Sequence, residues 1–200
     1  MSSVIKTHQR TGEELIQSLK GKRLIVYAGT LESYQGIDIL IRAFKFVIEA
    51  EPDTFLLIVG GTPEQVQCYA DLAEECGIQD DCLFTGRVAQ PLAKLYVDQA
   101  SVQISSRVSG TNTPLKVYEQ LARGVPIVAT NIYSHTQVLS EEVAFLVEPE
   151  PGDMANGILR ALQSETESQR RAANAQKLYE EKYSRNVYKE KMKKLLELVS

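Results

Sequence analysis

An alternation constrains the fold of this chain more than any other feature. Short β-branched apolar runs recur along it, and each is followed by a segment with helical spacing. The runs are RLIVYAG (23–29), TFLLIVGG (54–61), CLFTGRV (82–88), SVQISSR (101–107), VPIVAT (125–130) and VAFLVEP (143–149). The first is almost continuously apolar, which suits a strand buried on both faces, as in a parallel sheet. Between the first two runs, Ile37, Leu40, Ile41, Phe44, Val47 and Ile48 recur at helical spacing. Thr62 and Pro63 read as the cap and first turn of a helix that ends at Gly77. QPLAKLYVDQA is a shorter helix, and two charged helices follow the sixth run, at about 151–164 and 165–183. Strands alternating with helices imply right-handed crossovers. The predicted fold is α/β: a Rossmann-like, doubly wound, parallel six-stranded sheet with C-terminal helices.

The ends of the chain read differently. Residues 1–10 resemble a leader or linker remnant, 11–183 form the Rossmann-like unit, and 184–200 form a C-terminal amphipathic helix carrying Val187, Met192, Leu195, Leu196 and Val199. Thr11 and Glu14 have capping-box spacing for a helix that leads into the first strand.

Composition narrows the function classes. A length of 200 residues supports one well-buried core and is short for two full domains. The formal net charge of −4 argues against nucleic acid or an anionic membrane as the main partner. No apolar run reaches the length of a membrane span, and MSSVIKTHQRTGEEL lacks the apolar core of a signal peptide. Cys68, Cys76 and Cys82 match no zinc template and no redox pair. His8 and His135 are too few and too far apart for a histidine metal site. A cytoplasmic protein with reduced cysteines is expected.

Ligands of doubly wound sheets bind outside the carboxyl ends of the strands. The loops there are TLESYQG, GTPE, RVAQ, RVSGTNTP and NIYSHT. No GxxxxGK[ST] is present, the first turn is AGTLESYQG rather than GxGxxG, and no GxSxG elbow occurs. What remains is polar loops feeding helix N-termini, which attract anions. Gly110, Thr111, Asn112, Thr113 and Pro114 precede Leu115, and their amides could cradle a diphosphate. Thr111, Asn112 or Thr113 is the expected cap, with Pro114 in the first turn. Lys116 adds a point charge. Glu119 lies one turn on, where it could accept hydrogen bonds from ribose hydroxyls; the alternative is an exposed Lys116–Glu119 ion pair. Arg107 faces either a phosphate cleft or solvent. His135 is either a site residue or a structural one. Tyr34 and Tyr133 either cover the site or pack, and Thr30 and Gln35, before Gly36, either serve function or shape a turn.

In order and spacing, YAGTLESYQGIDILIRAF, FTGRV, TNTPLKVYEQLARGVPIVAT, HTQVL and VAFLVEP resemble the C-terminal half of a retaining glycosyltransferase of family four (glycosyl transferases group 1), with the GT-B architecture. The resemblance covers roughly residues 22–150, and PLKVYEQLARGVPIVAT is its most specific part. It implies that this domain binds a nucleotide-diphosphate sugar, and that the full-length protein transfers a hexosyl group to an acceptor hydroxyl with retention. It also implies that Gly29 and Thr30 approach the diphosphate, that the backbone at Arg87 and Val88 packs on or bonds the base, and that Glu119 holds the ribose as the second glutamate of an E-x7-E signature. The chain departs from the pattern in places. Thr111 stands at the first glutamate, Thr30 and Gln35 at a basic pair, and Gln137 at an acidic residue after the fifth strand. Lys116, as a stabiliser of the leaving diphosphate, and the helix N-terminus would take over the basic pair's work.

The resemblance further implies an N-terminal acceptor domain as partner, with any peripheral membrane contact made through that half. No cofactor or metal is expected, and there is no DxD carboxylate pair. The chain would be a natural fragment or an excised piece that binds nucleotide diphosphates weakly and transfers little. Its last helix, with Leu195 and Leu196, would pack across the domain junction, or self-associate when alone. Three rivals are weighed. A non-catalytic nucleotide-sugar sensor or pseudo-enzyme fits Thr111. An epimerase of the same architecture needs carboxylates and a histidine in patterns that are missing. A signalling or flavin module needs acidic strand ends, whereas these are AGT, GGT and SSR.

Overall fold

A computed structural model describes residues 12–199. Six strands form one sheet: β1 (Arg23–Ala28), β2 (Thr54–Val59), β3 (Cys82–Phe84), β4 (Ala100–Ser105), β5 (Ile127–Thr130) and β6 (Phe145–Val147). Their order is β3-β2-β1-β4-β5-β6, with every neighbouring pair parallel. This is the doubly wound arrangement that the alternation predicts.

The helices are α1 (Gly12–Ser18), α2 (Ile37–Ala50), α3 (Pro63–Glu75), α4 (Gln90–Asp98), α5 (Leu115–Arg123), α6 (Tyr133–Thr136), α7 (Pro151–Gln163), α8 (Glu165–Lys182) and α9 (Arg185–Val199). Continuous apolar runs still alternate between two layers, because side chains on a strand point to opposite faces. Ile25 and Tyr27 of β1 pack with Ile37, Ile41 and Phe44 of α2 and Ile158 of α7. Leu24 and Val26, between them, pack with Leu15 of α1 and Tyr96 of α4. Further along the sheet, Ile127 and Ala129 of β5 pack with Val117 and Leu121 of α5 and Ala175 of α8. Phe44 is fully buried. Its truncation to alanine would cost about 3–5 kcal/mol.

The chain leaves β1 toward one face of the sheet and β4 toward the other. A crevice therefore opens between these two neighbouring strands at their carboxyl ends. Gly36 closes it tightly. Its φ is +64°, and a Cβ there would stand 2.2 Å from the carbonyl oxygen of Ser106. Only glycine lets the β1–α2 loop rest on the end of β4.

Several strands end earlier than their apolar runs. TFLLIVGG and CLFTGRV pair only through Val59 and Phe84, and Gly60 and Gly86 then meet in an isolated antiparallel bridge. Both glycines take positive φ, which turns the chain out of the ladder and into the site loops. The expected caps of α5 are absent: Pro114 itself is the N-cap, without a side-chain bond, and the helix begins at Leu115. Thr62, by contrast, caps α3 in a full capping box with Gln65. The expected Thr11–Glu14 box falls partly outside the described residues. The short helix α6 gives too few residues for a periodic signal.

Candidate functional site

The crevice is laced by polar bonds between the β1–α2 and β4–α5 loops. The Ser106 hydroxyl donates to the Gln35 carbonyl at 2.7 Å, and the Val108 N–H donates to the Tyr34 carbonyl at 2.9 Å. Gln35 is thereby buried, and its amide faces Thr30 Oγ1 at 3.5 Å. The Tyr27 hydroxyl donates to the Thr30 carbonyl at 2.7 Å and so fixes the turn after β1. Burial pushes the Tyr27 phenol well above its ordinary range.

Lys116 crosses the crevice from α5. Its Nζ donates to Gln35 Oε1 at 3.3 Å and lies 4.0 Å from the centre of the Tyr27 ring. The residue is half-buried by area, but its ammonium end is enclosed against Tyr27 and Gln35. That desolvation, with Arg107 nearby, lowers its pKa from 10.5 to about 7. The expected alternative, a Lys116–Glu119 pair, does not form. Glu119 is exposed and faces Arg123 at 3.8 Å, a weak surface pair.

Arg107 organises the loop before α5. Its Nε donates to the Ser109 carbonyl at 2.6 Å, a second nitrogen donates to the Asn112 carbonyl at 3.2 Å, and its guanidinium lies 5.1 Å from the Tyr34 ring centre. Arg107 thus faces the crevice rather than open solvent. Gly110, Thr111 and Asn112 are exposed on this loop, Thr113 and Pro114 are half-buried, and Leu115 is exposed. The Gln137 amide donates to the Thr111 carbonyl at 2.7 Å and so ties the loop to α6. Among the described residues neither Arg107 nor Lys116 meets a carboxylate. Two neighbouring cations without a counter-charge, beside an uncapped helix N-terminus, form a site suited to an anion.

His135 lies directly beneath. It is fully buried, with Nε2 at 2.8 Å from Ser105 Oγ and Nδ1 at 2.9 Å from the Thr130 carbonyl. The carbonyl requires Nδ1 to carry the proton, so the Ser105 hydroxyl donates to Nε2. Thr130 Oγ1 in turn donates to the Arg107 carbonyl. Burial holds the His135 pKa down at about 4, with Lys116 and Arg107 adding to the effect. The ring is neutral and both nitrogens are engaged. It acts as a strut between β4, β5 and α6, and in this arrangement it offers no nitrogen to a ligand.

A second part of the site lies beyond β1. Gly29, Thr30, Glu32, Gly60, Gly61, Gln65, Arg87, Val88 and Ala93 line a cleft of about 330 Å³. Its walls are largely backbone, because a Cβ on Gly60 would stand 2.0 Å from the Gly29 carbonyl oxygen. Gly29, Thr30, Arg87 and Val88 were expected here from the sequence; Glu32 and Gln65 were missed. Their mutual bond, Gln65 amide to Glu32 Oε1 at 3.0 Å, joins the β1–α2 loop to the first turn of α3, and the TLESYQG and GTPE loops were the only hints of it. A larger hollow of about 910 Å³ lies along α3, against Asp38 of α2. It contains none of the expected site residues.

Residues 13–178 match the family described as glycosyl transferases group 1. The chain is 27% identical over 187 residues to the putative glycosyltransferase YtcC of Bacillus subtilis (strain 168), covering 88% of this chain and 44% of that protein. It thus spans less than half the length of that curated relative. Among solved structures, Anabaena Alr3699/HepE in complex with UDP and glucose superposes with a TM-score of 0.80 at 16% identity, over 98% of this chain and 55% of the other. The C-terminal domain of a glycosyl transferase group 1 family protein (LpcC) from Francisella tularensis superposes with a TM-score of 0.73 at 18% identity, over 86% of this chain and 91% of that one. At these identities the two superpositions establish shared fold.

Proposed function

This chain belongs to the glycosyl transferases group 1 family, and we propose that it is the donor-binding half of a retaining, nucleotide-sugar-dependent hexosyltransferase. The observation that carries the reading is the cationic crevice: Lys116 and Arg107, without carboxylate partners, beside the uncapped start of α5. A diphosphate supplies the missing counter-charge. Its oxygens take the free N–H groups of the first turn of α5 and the Lys116 ammonium. The base enters the glycine-walled cleft beside Arg87 and Val88, where backbone does most of the recognition. Glu119, exposed one turn along α5, accepts from the ribose hydroxyls. The Alr3699/HepE structure, with UDP and glucose bound, supports this choice of ligand class.

The chemistry divides accordingly. The bond between the anomeric carbon and the diphosphate oxygen breaks, and the acceptor oxygen bonds that carbon on the same face. Lys116 and the amides of α5 stabilise the charge growing on the departing diphosphate. The acceptor must be held beside the anomeric carbon. We assign that work to an N-terminal domain that completes the protein. The diphosphate charge is met by protein groups, and we assign no metal to the site. Gln35, neutral like Thr30 where the family pattern has a basic pair, is bonded to Thr30 and accepts from the Lys116 ammonium, which supports Lys116 as the replacement charge.

Titrating the chain with uridine, guanosine and adenosine diphosphates by calorimetry tests the reading. Micromolar to millimolar binding of one of them, weakened by Lys116→Met, is expected. Binding that survives Lys116→Met unchanged would refute the diphosphate assignment. One observation favours a second reading, a nucleotide-sugar-binding protein without turnover. Thr111 and Gln137, neutral where the family pattern is acidic, are bonded to one another, which leaves the sugar end of the site without a carboxylate. Product formation by the full-length protein separates the two.

A further inference from the structure

The glycine-walled cleft carries a carboxylate held in a fixed orientation. Gln65 belongs to the capping box of α3, where its side-chain oxygen accepts from the Thr62 N–H at 3.0 Å. That bond fixes which end of the amide is nitrogen. The Nε2 end then donates to Glu32 Oε1 at 3.0 Å. Glu32 is thus held from α3 through one oxygen. Its other oxygen has no hydrogen-bond or ion-pair partner among the described residues. Arg87 lines the same cleft of about 330 Å³ and likewise meets no carboxylate among the described residues. Gly29, Gly60 and Gly61 supply much of the remaining wall. A backbone wall grips any planar base, so the choice among bases falls to Glu32 and Arg87.

We propose, resting on the donor-binding reading, that this cleft selects guanine and that the donor is a guanosine-diphosphate sugar. Base edges decide the match. Guanine alone among the common bases sets two donors side by side, N1–H and the 2-amino group. A carboxylate has about four acceptor positions, and Gln65 takes one of them at Glu32, which leaves room for both donors. On its other edge guanine presents O6 and N7, both acceptors, and a guanidinium is the side chain that donates to that pair. Adenine sets a bare N1 beside its 6-amino group. Cytosine sets a bare N3 beside its 4-amino group. Uracil flanks its single N–H with two carbonyl oxygens. Each of these three turns a lone pair toward the Glu32 carboxylate, where guanine turns a second donor.

Calorimetric titration of the 200-residue chain with guanosine, inosine, uridine and adenosine diphosphates tests this choice. Inosine differs from guanosine only in lacking the 2-amino group. Guanosine diphosphate should bind most tightly, with inosine diphosphate about tenfold weaker. Glu32→Gln keeps an acceptor for Gln65 but exchanges the other oxygen for a donor. It should weaken guanosine diphosphate about tenfold and abolish the gap to inosine diphosphate. Arg87→Met should weaken both purine diphosphates alike, about tenfold, since both keep O6 and N7. Glu32 and Arg87 are exposed, so unchanged melting temperatures will show that the variants are folded. The proposal is overturned if uridine or adenosine diphosphate binds more tightly than guanosine diphosphate, or if Glu32→Gln retains the guanosine–inosine gap. Either result leaves the donor-binding reading standing. If no nucleoside diphosphate binds, that reading fails and the choice of guanine fails with it.

Discussion

The two sides of the crevice use different physics. Beyond β1, the cleft at Gly29, Gly60 and Gly61 is shaped by backbone, and its only charged side chains, Glu32 and Arg87, are exposed. Beyond β4, Arg107, Lys116 and His135 concentrate charge and buried hydrogen bonds within one turn of α5 and α6. The glycine side tolerates little bulk but carries little charge. The cationic side pairs tight side-chain geometry with an electrostatic load that the free protein does not neutralise. On the proposed reading, such a site holds a base by shape and a diphosphate by charge, and each half can be disabled separately.

Among the residues of the site, His135 gives the largest expected effect on stability. Its folded value of about 4 lies below the ordinary 6.5, so the unfolded chain binds the proton first. The stability of the neutral ring is complete above about pH 6.5 and is lost as pH falls toward 4, a change on the order of 3 kcal/mol. His135→Ala should remove that acid dependence and destabilise the protein by about 2–4 kcal/mol, since Ser105 and Thr130 lose their buried partner. Chemical denaturation at stepped pH reads both.

Lys116→Met should weaken nucleotide diphosphate binding about 100-fold while leaving nucleoside binding unchanged. The same change should leave the fold no less stable, because it removes a desolvated cation beside Arg107. The pH profile sharpens the contrast. With a folded value of about 7 against 10.5, Lys116 makes the free protein gain stability as pH rises through that window. Nucleotide affinity should move the opposite way and fall above pH 7, since the diphosphate needs the charged ammonium. In Lys116→Met both slopes should flatten.

On the glycine side, Gly60→Ala forces a Cβ to 2.0 Å from the Gly29 carbonyl, at a φ of +120°. A loss of about 2 kcal/mol in stability is expected, together with weaker binding of nucleoside and nucleotide alike. If only the diphosphate were affected, the division between the two sides would be wrong. Glu119→Ala should cost about tenfold in ribonucleotide affinity and much less for the 2′,3′-dideoxy analogue. Its exposed contact with Arg123 predicts almost no change in melting temperature.

Much of the fold and part of the site were legible in the sequence. The strand positions and the parallel arrangement followed from apolar runs such as RLIVYAG alternating with helical spacing. Residues Gly29, Thr30, Arg87 and Val88 were expected at the site from the family resemblance, and the structure brings them together in one cleft. The cap of α5 was misplaced, since TNTP offers three capping side chains and none of them bonds the helix start. Their alternative, a loop held by Arg107 and Gln137 through its carbonyls, depends on residues before and after it in the chain. Glu32 and Gln65 escaped notice for the same reason, being 33 positions apart and joined only by the fold.

By itself the sequence determined the layers, the edge of the sheet where the candidate site lies, and the residue types collected there. These follow from periodicity and from the direction in which a parallel strand delivers its loop. Only the tertiary structure decided which way each polar side chain turned. Lys116 left Glu119 for Gln35 and the face of Tyr27, and His135 became a buried strut rather than an open ring. Both outcomes depend on desolvation and on partners contributed by distant strands, and these arise only when β1, β4 and β5 lie side by side.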